Sequence, residues 1–424
     1  MIVSSNPIDQ NRIKHSTAID FLRILATLIV FMLHTTIFTT HYVDLWGSKW
    51  PAVFIFKTPA WAGVWIFFIL SGYLIGKGWV NQSYKLTIKG ASNFYLKRIT
   101  KVLIPTWFFI FLCCVLVFPE FVLENPTVIV RFLTLTYNGN PGVDGVGATW
   151  YIFSIMQLYL IAPIIYFLLE KINKKSSNLL IIVLVFIVIA GMLYRVMLFK
   201  IGADWSSLVY TPSFSNLDLF TSGFILSYIT NNKTKITFAN QLTEIIIHKI
   251  KLSRLKSGSV ILLMALIIIN CWLYFTDQIF IYQYILPSVY IFIVCFYLFV
   301  FEYCHSILGR SKFAAIDVIK FGASNLMHFL SNISFEFYLF HSLVLNRIIR
   351  AFTIISPIAF HVKVLIYAAI FTVILAYGYS KIIKRNIPRS NDSRSSLHLL
   401  LEKLHTFITS HFAHKKTRLC TKPK

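Results

Sequence analysis

The feature that most constrains this chain is the length of its apolar runs. They come in blocks of about twenty residues, which as a helix rising ~1.5 Å per residue spans ~30 Å of hydrocarbon. Lipid offers no partner to a bare N–H or C=O, so each block must satisfy its own backbone as a helix. Ten blocks fit this length: 18–38, 60–79, 102–118, 150–169, 179–199, 214–229, 260–276, 281–301, 333–350 and 358–380. The sixth is the shortest. Composition agrees, because 57% hydrophobic and 13% charged residues leave too little polar surface for a soluble protein of this size. The expected fold is an all-α integral membrane protein of about ten transmembrane helices. A segment 1–17 precedes the membrane domain 18–380, and a basic tail 381–424 follows it.

Charge sets the orientation. Of 40 Lys and Arg residues, thirty fall in the two termini and the even-numbered loops, four in the odd-numbered loops and six within the spans. Positive charge gathers on the cytoplasmic side, so both termini are expected there. The same pattern accounts for the net charge of +24 without nucleic acid, which is excluded as a partner. The first apolar run has no small-residue cleavage site and carries Arg23 and His34, so it reads as a retained helix. Six cysteines lie in or beside spans or in the tail, a distribution that gives neither a disulfide framework nor a zinc motif. In the tail, Leu397, Leu400, Leu401, Leu404, Phe407, Ile408 and Phe412 repeat at helical spacing. This stretch is expected to lie as an amphipathic helix on membrane lipid. Its His398, His405, His411 and His414 lack a supporting Cys or carboxylate cluster and read as a wet helix face, so no metal is expected.

Ionisable residues inside a membrane are costly and mark function by default. The first span holds Asp20, Arg23 and His34. Eleven positions separate Arg23 from His34, about three turns plus ~20°, so the two share a face with ~16 Å between them along the axis. Asp20, one turn earlier, is placed to pair with Arg23. Lys97, Arg98 and Lys101 stand where the third span begins, just ahead of Pro105. They read equally as a positive-inside anchor or as a phosphate clamp. In the ninth span Ser334, Tyr338, His341 and Ser342 form a polar stripe, with Glu336 off it and near the inner surface. In the second, Gly72 beside Ser71 points to close approach of another helix, and Trp61, Trp65 and Phe68 read as packing. Arg195, Asp218 and Arg347 sit toward outer helix ends and read as snorkelling side chains. The glycine-rich stretch 138–147 reads as a mobile outer loop.

These residues resemble, in order along the chain, the acyltransferase 3 family of membrane O-acyltransferases. Ala18-Ile19-Asp20-Phe21-Leu22-Arg23 with His34 is similar to its first-helix signature, and Phe67 to Leu74 to its second. Phe94 to Lys101 with Pro105 is similar to its third, Trp150-Tyr151 with Leu158-Tyr159-Leu160 and Pro163 to its fourth, and Phe337-Tyr338-Leu339-Phe340-His341 to a late aromatic-histidine motif. The version in the fourth segment resembles the branch of the enterobacterial common antigen O-acetyltransferase and other surface polysaccharide acyltransferases.

The resemblance implies an enzyme of the bacterial inner membrane. Such an enzyme takes an acyl group, commonly acetyl, from cytoplasmic acyl-CoA and passes it to a hydroxyl of a surface glycan or its lipid-linked precursor. Acyl-CoA is then a co-substrate, with no bound cofactor. It implies that Arg23, Arg98 and Lys101, with Lys97, hold the CoA phosphates, and that His34 acts as general base or carries the acyl group. Asp20, Ser71, Tyr338, His341 and Glu336 would be secondary polar contacts. The chain departs from the family where Trp65 and Met156-Gln157 replace carboxylate positions, and where Lys101 replaces an Arg. No soluble domain follows the last span, so the membrane part is expected to act alone or with a partner, a homo-oligomer among them. The rival classes are a transporter or flippase of a lipid-linked sugar, and a glycan polymerase or ligase. The first does not call for the ordered motifs. The second calls for a large basic outer loop, and the outer loops hold four Lys and Arg.

Overall fold

A computed structural model describes residues 16–40, 59–117, 119–137, 146–231, 252–304, 317–352 and 357–386. The tail helix proposed over 397–412 and most of the glycine-rich stretch lie outside the described residues. Among the described residues the regular structure is all helical. We number the helices α1 (Thr17–Thr40), α2 (Ala60–Val80), α3 (Ile88–Arg98, a π turn Ile99–Leu103, then Ile104–Leu116), α4 (Pro119–Glu124), α5 (Pro126–Leu133) and α6 (Trp150–Lys175). They continue as α7 (Leu179–Lys200), α8 (Leu217–Ile229), α9 (Leu252–Phe275), α10 (Leu286–Leu298 between π turns Ile281–Ile285 and Phe299–Cys304), α11 (Asp317–Ile349) and α12 (Pro357–Asn386).

Eight helices among the described residues are long and apolar enough to cross a membrane. The other two expected spans are present but differ in kind. Helix α8 has 13 residues and is buried from Asp218 to Ile229, so its neighbours, not lipid, surround it. Helix α11 runs 33 residues and buries Ser331, Ser334, Glu336, His341, Ser342 and Asn346, too polar a helix to face hydrocarbon. The outer loop between α3 and α6 holds the two short helices α4 and α5 where the sequence reads as loop. Trp107 donates to the Phe132 carbonyl and Gln157 to that of Leu135, both closing it onto the bundle.

Side-chain contacts fix the relative directions. Helices α1 and α11 run parallel: Asp20 meets Ser331, Phe31 meets Phe337 and His34 meets His341. Helix α12 runs back against them, with His361 on Thr39 and Tyr377 on Phe329. Helices α2, α6 and α10 share one direction, since Ser71 pairs with Tyr151 and Trp79 with Tyr166, while Trp61 stacks on Tyr282 and Lys77 bonds Glu302. The start of α1 and the end of α12 therefore lie at the same end of the bundle.

Packing explains the small residues. A Cβ on Gly72 would fall on the Phe220 carbonyl and one on Gly223 on that of Ile69, so α2 and α8 meet backbone to backbone, the close approach that Gly72 predicted. Three π turns each end two residues before a proline: 99–103 before Pro105, 205–210 before Pro212 and 281–285 before Pro287. Proline has no N–H to continue the i→i−4 ladder, and the preceding turn widens. Within α1, Thr27 and Thr35 donate to the carbonyls four residues back at 2.8–2.9 Å, which satisfies their hydroxyls within the helix, while Thr39 lies at hydrogen-bond distance of both its i−4 carbonyl and His361 of α12.

Candidate active site

Near the end that carries the start of α1, the basic residues converge. The Arg98 guanidinium donates to the Tyr84 hydroxyl at 2.9 Å and lies 5.7 Å from the ring centres of Phe94 and Tyr159. Aromatic walls thus hold a side chain that would otherwise sweep freely. Lys97 lies 5.5 Å over the Tyr84 ring, and the exposed Lys101 is within electrostatic range of Arg98, Lys97 and Tyr84. Arg23 of α1 lies within electrostatic range of the same Tyr159. Two helices far apart in sequence thus bring their arginines to one tyrosine. Ion pairs among the described residues join Lys77 to Glu302, Arg195 to Asp218 and His328 to Asp20. Arg23, Lys97, Arg98 and Lys101 take part in none of them. Asp20 acts on Arg23 at longer range, and among the described residues no carboxylate closes on Lys97, Arg98 or Lys101, so the cluster, partly sheltered from water, is a site for an anion.

Asp20 is not the direct partner of Arg23. Its buried carboxylate accepts from Ser331 Oγ at 2.6 Å and lies 3.3 Å from Nδ1 of His328. The pairing crosses to α11 because that helix, parallel to α1, offers a hydroxyl at the same level, and Asp20 acts on Arg23 only at longer range.

Deeper in the bundle, the rings of His34 and His341 meet edge to face, with centroids 4.9 Å apart and an 80° interplanar angle. His34 is enclosed by the bundle yet keeps accessible surface, whereas His341 is 1% exposed. His341 Nδ1 lies 2.6 Å from the Tyr338 carbonyl. A carbonyl can only accept, so Nδ1 carries the hydrogen, and Nε2 of the neutral ring keeps its lone pair. That Nε2 is buried and has no hydrogen-bond partner. The Tyr338 hydroxyl donates to the Ala148 carbonyl, which pins the end of the outer loop over the polar stripe. Ser71 lies 3.3 Å from the Tyr151 hydroxyl, one ring away from Tyr338.

An unbroken series of ring contacts leads from the opposite end of the bundle to the histidines. It runs Trp205–Tyr210 (4.6 Å), Tyr210–Trp150 (4.6 Å), Trp150–Tyr151 (6.3 Å), Tyr151–Tyr338 (5.7 Å) and Tyr338–His341 (5.5 Å). Trp61 joins this series through Trp205.

Two sequence expectations are corrected here. Glu336, expected near the inner surface either as a partner for a basic residue or in solvent, is buried beside Tyr379 of α12, which packs against α11. Arg195 and Asp218 do not snorkel. Arg195 is 2% exposed, donates to both carboxylate oxygens of Asp218 at 3.0 and 2.7 Å, and also to the Ser215 carbonyl and Ser288 Oγ. Arg347 alone of the three is exposed. Tyr84 and His328 carry no motif of their own, and Tyr151 and Tyr159 stood in the fourth-helix motif without an assigned role.

A bundle of long apolar helices with a basic cluster at one end and a histidine pair inside is a multi-pass membrane protein. The chain belongs to the acyltransferase 3 family, whose model, described as an acyltransferase domain, matches residues 16–378. It is a membrane acyltransferase. No curated protein and no solved structure matches the chain.

Proposed function

We propose that this acyltransferase is an O-acetyltransferase of a bacterial surface polysaccharide or its lipid-linked precursor, acting in the inner membrane with cytoplasmic acetyl-CoA as donor. The observation that carries the donor assignment is the set of cations Arg23, Arg98, Lys97 and Lys101, gathered around Tyr84 and Tyr159 and in no ion pair among the described residues. Guanidinium forks match phosphate oxygens, and CoA is rich in phosphate. This end bears the cytoplasmic charge bias, so a reporter fused at Lys89 or Lys175 reads cytoplasmic. A periplasmic reading at either would remove the donor site.

From the basic cluster the thioester arm extends along α1 toward His34, roughly 16 Å further along the axis. His34 takes the proton of the acceptor hydroxyl, a task that suits neutral imidazole. The acceptor approaches along the aromatic series from the opposite end, where Trp and Tyr faces suit a sugar ring. Asp20, Ser71, Tyr338 and Glu336 hold the walls. The likeness of Trp150-Tyr151 and Leu158-Tyr159 to the surface-polysaccharide branch supports the acceptor class.

The test is mass spectrometry of surface glycans from cells carrying His34→Gln. The expected result is an intact glycan that has lost its acetyl mass, with a rate loss of about 10²–10⁴ at normal protein level. Full acetylation in that strain removes His34 from the mechanism, and loss of the whole glycan would point to transport instead.

A further inference from the structure

We infer that His341 is the positioning partner of His34: its Nε2 lone pair accepts the second ring N–H of His34 and fixes which nitrogen of His34 faces the acceptor. The inference rests on the reading of His34 as base. An imidazole base has two nitrogens, and it works only if something holds its tautomer and ring orientation, the part a buried carboxylate plays in a Ser-His-Asp triad. Among the described residues no carboxylate acts on His34. Asp20 is committed to Ser331 and His328. Glu336, five residues before His341 on the same helix, is turned about 140° away from it. The titratable group that acts on His341 is His34 itself.

Three features make His341 fit for the task. The bond from its Nδ1–H to the Tyr338 carbonyl fixes its own tautomer. Its Nε2 is left buried without a donor, a deficit that the His34 N–H would relieve. The two parallel helices are held in register on the near side by Phe31 against Phe337 and further back by Asp20 on Ser331, so the rings cannot drift apart.

In the reaction the acceptor oxygen forms a bond to the thioester carbonyl carbon while its proton passes to the facing nitrogen of His34. The imidazolium so formed keeps its other N–H on His341. The carbon–sulfur bond breaks, and His34 gives the proton to the departing thiolate, yielding the acetyl ester and free thiol. His341 neither gains nor loses a proton and touches no substrate.

The experiment uses membranes of the producing cell, which contain the full chain and its own acceptor, and follows incorporation of label from radiolabelled acetyl-CoA. His341→Phe keeps ring packing but removes the acceptor atom. His341→Gln restores it, since its amide can donate to the Tyr338 carbonyl and its oxygen can accept from His34. Per unit of protein, Phe should lower Vmax 10–100-fold, the typical cost of losing an outer-shell partner, with the KM for acetyl-CoA unchanged. Gln should return Vmax to within about tenfold of wild type. Phe at near wild-type Vmax, or Gln no better than Phe, overturns the inference. Should Phe fail to accumulate, His341→Leu replaces it. An inactive His34→Gln beside an active His341→Phe overturns this inference alone, whereas an active His34→Gln overturns the base assignment as well.

Discussion

The molecule contains two kinds of arginine within its helices, one fully buried and one half-buried. Arg195 is fully buried, and its two terminal nitrogens donate to both carboxylate oxygens of Asp218, a backbone carbonyl and a serine hydroxyl. Gly191 leaves the space the Asp218 carboxylate needs, since a Cβ there would strike it. Arg98 is held by rings and one phenol, and among the described residues no carboxylate pairs with it. The first arrangement ties α7, α8 and α10 together, with its charge answered inside the bundle. The second holds a charge in place and leaves it unspent. An intramembrane arginine is therefore informative about function only once its counter-charge is known.

The comparison can be broken at several points. Arg195→Met should be the most damaging change, costing about 3–5 kcal/mol because Asp218 would be left buried and unpaired. A thermal melt of the purified protein in detergent measures it. Adding Asp218→Leu should restore most of the loss, since a buried pair is often replaceable as a whole. A single variant that melts like wild type would end the structural reading of this pair. Arg98→Ala should leave the melting temperature nearly unchanged and raise the KM for acetyl-CoA by about 10–100-fold, the worth of hydrogen bonds from a charged group. If Arg98→Ala melts early and keeps its KM, the two arginines are of one kind. Lys101→Ala should raise that KM only a few-fold, roughly the value of an exposed charge, but still more than Lys85→Ala. Equal effects of the two lysines would reduce the cluster to a general field.

Much of this was legible in the sequence because membrane helices are local objects. Block length gave the spans, and the charge alternation matches the alternating directions seen in the contacts. Arg23, His34, Arg98 and His341 stood out because each is ionisable within or beside an apolar run. What the sequence did not give is who faces whom. His34 and His341 are 307 positions apart, and nothing in either neighbourhood names the other. Asp20 had a basic residue one turn away, yet bonded a serine on α11, because interhelical geometry overrode sequence proximity. Arg195 and Asp218 looked like snorkelling ends since each was read against lipid, whereas the short α8 lies inside the bundle. Tyr84 and Tyr159 have no charge to draw notice, and their role exists only beside Arg98.

The widened turn at Ile99–Leu103 has a consequence for how the donor site is aimed. A π turn carries one residue more than the α turn it replaces, so it works like a one-tooth offset in a gear. Everything before it, Lys97 and Arg98 included, is set about 100° round from where an uninterrupted helix would put it. The membrane half of α3 keeps Phe109 against Phe340 and accepts the Tyr379 hydroxyl at the Pro105 carbonyl, while the half before the turn points its cations at Tyr84 and Tyr159. Removing a single residue from this stretch would leave both halves helical and the charge intact, but would swing the arginine off its aromatic seat. The aim of the basic cluster is thus encoded in the count of residues between Arg98 and Pro105, as much as in their identities.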